Sequence, residues 1–98
     1  MDYSYIANSG LADCELGNIC IDYANSCIFI DLNTPKGNKH ILKIPDFEEI
    51  IVVKKEHWGK GKYVVASDCQ HCGDKNIIEI QLNSGDLIKI TTQHDIFT

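Results

Sequence analysis

The chain has 98 residues, 44% of them apolar and 23% charged, with a formal net charge of -5. That length suits one domain, residues 1–98, and an apolar fraction near the globular average argues against a disordered chain. No apolar run reaches the roughly 18 residues of a membrane-spanning helix, so a soluble protein with one core is expected.

The N-terminus, Met1-Asp2-Tyr3-Ser4-Tyr5, has neither the basic region nor the apolar stretch of a secretory signal. With five cysteines, an odd number that leaves at least one thiol without a partner, a reducing compartment fits best, and a cytoplasmic location is expected. Residues rich in Ile, Val, Tyr and Phe then recur at short intervals, at 3–7, 18–23, 26–32, 39–44, 49–54, 62–67, 76–82 and 86–92. Turn-forming residues separate nearly all of them: Ala24-Asn25, Asn33 to Asn38, Gly59-Lys60-Gly61 and Asn83-Ser84-Gly85. The single helical candidate is about one turn near 45–50, where Pro45 suits a first helical position and Asp46, Glu48 and Glu49 suit a helix N-terminus.

This pattern predicts an all-β fold of about seven or eight antiparallel strands. The segments 26–32 and 49–54 are apolar on both faces and read as central strands covered on both sides. Such strands require a second layer, supplied by a small β-sandwich or a barrel-like sheet. The last hairpin predicts its own register. With Gly85 left-handed in a three-residue loop, Leu82 faces Asp86, Ile80 faces Ile88, Ile78 faces Ile90, Glu79 faces Lys89 and Ile77 faces Thr91.

Charge is unevenly placed. From Met1 to Pro35 there are five acids (Asp2, Asp13, Glu15, Asp22, Asp31) and no Lys, whereas from Lys36 onward nine Lys balance nine acids. Arg is absent, so the fork that grips guanine edges and phosphates bidentately is missing, and direct nucleic-acid binding is disfavoured. Three of the four tyrosines (Tyr3, Tyr5, Tyr23) share the acidic segment. Tyrosine suits protein interfaces, and carboxylates around it steer a basic partner. The candidate partner-binding residues are therefore Asp2, Tyr3, Tyr5, Asp13, Glu15, Asp22, Tyr23 and Asp31. For any one of them the plainer reading is core cover or solubility. Trp58, beside Gly59, either caps the core or projects as an anchor.

Catalytic motifs are scarce: no phosphate-cradling glycine loop and no nucleophile elbow occur, so a non-enzyme is expected. The sharpest local chemistry is Cys69-Gln70-His71-Cys72-Gly73. Two thiolates at that spacing, with Gly to turn the chain beneath them, are half of a zinc site, and Cys69 and Cys72 are the candidate metal ligands. A second pair at the same spacing is missing, and the plainer reading is a hairpin loop.

In size and charge the chain resembles the small inhibitors made by bacteria and phages, such as immunity proteins for toxic nucleases and anti-defence proteins. That resemblance implies a protein that blocks a basic partner, a nuclease toxin or defence nuclease, sterically and electrostatically. The alternative is a small zinc-stabilised β module acting in a larger assembly.

Overall fold

The computed structural model of the chain describes Ile6 and residues 10–93. It is all-β, with seven strands: β1 (Glu15–Asp22), β2 (Cys27–Asn33), β3 (Lys39–Ile44), β4 (Phe47–Val53), β5 (Val64–Cys72), β6 (Lys75–Leu82) and β7 (Leu87–Thr92). They form two antiparallel sheets, ordered β1-β2-β3 and β4-β7-β6-β5, packed as a small sandwich. No α-helix occurs among the described residues, so none is long and apolar enough to cross a membrane. The segment expected as a strand at 3–7 lies, except for Ile6, outside the described residues.

The alternation of branched apolar residues with polar ones dictates the layers. Ile28, Ile30 and Leu32 of β2, Leu42 and Ile44 of β3, Ile78 and Ile80 of β6 and Ile88 and Ile90 of β7 all turn inward and are at most 1% exposed. Each such side chain contributes about 1.5–3 kcal/mol by leaving water. The β6–β7 hairpin adopts the register expected from sequence: Ile78↔Ile90, Glu79↔Lys89, Ile80↔Ile88 and Ile77↔Thr91. Its loop closes with Leu82 N donating to Asp86 O at 2.9 Å, and Gly85 takes φ 87°.

Backbone bonds also stitch the two sheets together at one corner. Asp13 N donates to Val64 O (2.8 Å), Val64 N to Cys14 O (2.9 Å) and Leu16 N to Lys62 O (2.8 Å). Nearby, the buried Ser67 hydroxyl donates to Ile6 O (2.6 Å) and accepts from Leu11 N (3.0 Å), tying the N-terminal segment across β5.

Three local expectations are corrected. The turn expected to be helical near 45–50 is instead a corner: Asp46 has φ 56°, the Thr92 hydroxyl donates to Pro45 O at 2.7 Å, and β4 begins at Phe47. Pairing with β7 outcompetes a single helical turn, which would leave Ile50 and Val52 without cross-strand partners. Next, β4 is an edge strand and not a central one, with Ile51 43% and Val52 50% exposed. Finally, residues 68–72 are not a loop. β5 runs through them to Cys72, and the chain turns at Gly73-Asp74, with Gly73 at φ 65° as a two-residue hairpin loop requires.

Candidate protein-binding face

The outward side of the β1-β2-β3 sheet carries three of the five acids of the N-terminal third, Glu15, Asp22 and Asp31. Directly opposed residues share a face, so the rows there are Glu15–Asn33–Lys39, Asp31–Ile41, Cys20–Phe29–Lys43 and Asp22–Cys27. Glu15 and Asp22 are seven positions apart and would point oppositely along a regular strand. A β-bulge reverses the alternation: Gly17 and Asn18 together stand opposite Asp31, between the Leu16↔Leu32 and Ile19↔Ile30 pairs. Glycine permits this close approach, because a Cβ on Gly17 would lie 3.2 Å from Asp31 Cβ and 3.3 Å from Asp31 O. The bulge thus brings Glu15, Asp22 and Asp31 onto one face.

Apolar groups lie among those carboxylates. Ile41 is 55% exposed, Cys20 is exposed and Phe29 is half-buried. Glu15, Asp22 and Asp31 have no ion-pair partner among the described residues. At the end of the face, Asp22 accepts from Asn25 N (3.3 Å) and Asn25 Nδ2 (2.8 Å), and Ser26 N donates to Tyr23 O (3.2 Å). This braced turn holds Tyr23 outward, 87% exposed.

Of the sequence-derived candidates, Glu15, Asp22 and Asp31 are therefore brought together, with Tyr23 at their border. Asp13 stands apart, in the turn at the stitched corner, with φ 69°. Asp2, Tyr3 and Tyr5 lie outside the described residues. The sequence does not single out Phe29 and Ile41, because the apolar run of β2 reads as a strand covered on both sides. Its outward face is open, and the charge at Asp31, in step with Phe29, was the available signal.

Cys69 and Cys72 do not converge. Three apart on a strand, they leave opposite faces: Cys69 pairs with Ile78 on the inner side, and Cys72 with Lys75 on the outer. Burial, assisted by the Asp68 charge, pushes the Cys69 thiol up to about 11, so it is protonated at neutral pH and a poor ligand. No group of three or more His, Cys, Asp or Glu that could hold a metal occurs among the described residues.

A second polar assembly organises the loop after β4. Asp86, 2% exposed, accepts from Lys55 N (2.7 Å), Glu56 N (2.9 Å) and the Ser84 hydroxyl (2.7 Å). The Ser84 hydrogen bond, followed by those backbone donors, lowers its pKa. Glu56 in turn accepts from Gly61 N (2.7 Å) and pairs with Lys54 (2.6 Å). Asn83 Oδ1 accepts from Lys62 N (2.8 Å) and Tyr63 N (3.0 Å). Trp58 is 73% exposed yet rests on Gly85, so it partly covers the hairpin while presenting an edge to solvent. Beside this clamp a cleft of about 270 Å³ opens between edge strands β1 and β4, lined by Leu16, Ile19, Val52, Leu82 and Ile88. The donors and acceptors here are spent on fixing the loop. No family model, curated protein or solved structure matches the chain.

Proposed function

We propose that the chain is a small cytoplasmic binding protein that inhibits a basic partner, a nuclease of the toxin or defence kind, in the manner of an immunity or anti-defence protein. The outward face of β1-β2-β3 makes the contact. Glu15, Asp22 and Asp31 stand where nucleic-acid phosphates would otherwise bind, and Tyr23 and Phe29 provide rigid apolar area. The carrying observation is that the bulge at Gly17-Asn18 places three carboxylates without an ion-pair partner on one face, beside an 87% exposed tyrosine. Lys39 and Lys43 share the face, so the three carboxylates leave a small net negative charge over it, and that excess speeds encounter with a positive surface.

The test is capture of the partner from the native host, followed by binding kinetics with the purified partner. Asp22→Asn with Asp31→Asn and Glu15→Gln should slow association by about tenfold at low salt and flatten its salt dependence. Tyr23→Ala should mainly speed dissociation. A partner that is not basic, or unchanged association of the triple variant at low salt, overturns the reading.

A further inference from the structure

We propose that β4 is a self-recognition edge, through which two copies of this chain pair strand to strand about a two-fold axis. The sequence along this edge is antiparallel to itself in charge. It opens with Glu48 and Glu49, continues with four β-branched residues at 50–53, and closes with Lys54 and Lys55. Run against a second copy in the opposite direction, acids meet lysines at both ends and branched apolar residues meet in the middle.

The edge is able to pair. β4 lies at the margin of its sheet and no strand covers its far side among the described residues. The Leu82 N to Asp86 O bond sets the alternation of the β6–β7 ladder, so Ile88 and Ile90 turn their backbone groups toward β6. Leu87, Lys89 and Thr91 then serve β4, which leaves the N–H and C=O of Ile50 and Val52 directed at the free edge. The devices that usually blunt an edge are missing from its centre, since 50–53 contain neither Pro nor a charge and Ile51 and Val52 are about half exposed.

Symmetry fixes the register. About an axis normal to the sheet, directly opposed residues must share a face, so the pairing centres on a residue and not between two. Centring on Ile51 sets Ile51 against its symmetry mate and Ile50 against Val52 of the partner subunit, whose free backbone groups then bond reciprocally. It also brings Lys54, just past the end of β4, toward Glu48 of the partner subunit, which stands at the irregularity between Phe47 and Glu49. Lys54 already holds Glu56, and Glu48 already holds Lys75 at 2.8 Å, so each end of the interface becomes a row of four charges alternating in sign.

The experiment is sedimentation of the full chain over a wide concentration range, with two charge-reversed variants. The wild type should move from 11.0 kDa toward twice that mass as concentration rises. Lys54→Glu with Lys55→Glu gives an edge acidic at both ends, and Glu48→Lys with Glu49→Lys gives one basic at both ends. Each alone should remain at monomer mass, and an equimolar mixture should recover the dimer mass. Circular dichroism checks that each variant keeps its β structure. As a readout independent of any variant, hydrogen exchange at the Ile50 and Val52 amides of the wild type should slow at least tenfold between dilute and concentrated samples. A wild type that stays monomeric throughout overturns the proposal, as does a dimer that survives both reversals or a mixture that fails to re-form it.

Discussion

Trp58 rests on Gly85: a Cβ built on Gly85 would stand 2.9 Å from Trp58 Cε3 and 3.0 Å from Cζ3. Gly85 also has φ 87°, so the loop between β6 and β7 needs glycine twice, once for the backbone and once for the indole above it. Gly85→Ala should cost about 1–3 kcal/mol, since both the left-handed conformation and the ring position are disturbed. Trp58 is the single tryptophan, so its fluorescence should shift to the red in the same variant while denaturant titration reports the loss of stability.

Asp86 makes the stability of the loop after β4 dependent on pH. Its pKa is lowered from the ordinary 3.8 by the Ser84 hydroxyl and by the amides of Glu56 and Lys55. A carboxylate whose folded pKa lies below its unfolded one stabilises the fold above the unfolded pKa, and that contribution is lost as pH falls through the folded value. Asp86→Asn should therefore lower the thermal midpoint at pH 7 by on the order of 5 °C. The gap between variant and wild type should begin to narrow as pH falls below the ordinary 3.8, where the unfolded chain takes up the proton first, and go on narrowing toward the lowered folded value. A constant gap from pH 7 to pH 3 would contradict this linkage.

The core and the outer edge should respond differently to truncation. Ile80 and Ile90 are fully buried in the centre of the four-stranded sheet, and replacing either by Ala removes about three methylene equivalents and leaves a void, an expected loss of about 2–5 kcal/mol. Val65, 48% exposed at the β5 bulge, should tolerate Ala at a cost below about 1 kcal/mol. Urea unfolding midpoints of the three variants distinguish these positions.

Thiol chemistry should sort the cysteines by depth. Cys20 and Cys72 are exposed, whereas Cys14, Cys27 and Cys69 are buried. Burial, with the adjacent Asp13 and Asp68 charges, also raises the Cys14 and Cys69 thiols, which lowers the thiolate fraction available for reaction. Iodoacetamide at neutral pH should add two labels quickly and the remaining three only after denaturation, read by intact mass. Rapid labelling at Cys69 would count against the inward placement of its side chain.

Local agreement explains which features could be read from sequence. In the β6–β7 hairpin the turn residues, the isoleucine face and the Glu79–Lys89 pair all specify one register, and a shift by one residue would spoil all three. β4 has no such agreement, because four consecutive branched residues look alike whether the strand is covered on both sides or stands at an edge. Alternation also hid the acidic face. The acids were visible as a cluster in sequence, but Glu15 and Asp22 share a side only because the bulge at Gly17-Asn18 adds a residue, and a bulge leaves little trace beyond a glycine within a strand-like run. The Cys69–Cys72 pair shows the converse error. Its spacing suggested a turn, whereas the backbone ladder with β6 continues through both residues. Gly17→Ala tests the bulge, with an expected loss of about 1 kcal/mol and reduced protection of the neighbouring amides, because Asp31 must move to admit the new methyl group.

The seam across β5 has a consequence for how the chain acquires its structure. β5, β6 and β7 are joined by short turns, so their pairing closes only small loops and can form early. The Leu11 to Ser67 bond spans 56 residues and the Ser67 to Ile6 bond spans 61. Contacts of that span carry the largest loop-closure entropy and form late. The N-terminal segment is thus the final piece to settle, sealing a four-stranded sheet that assembles without it. The β1-β2-β3 sheet is equally local, so it is the contacts of Ile6 and Leu11 with Ser67, and not that sheet, that wait for the rest of the fold.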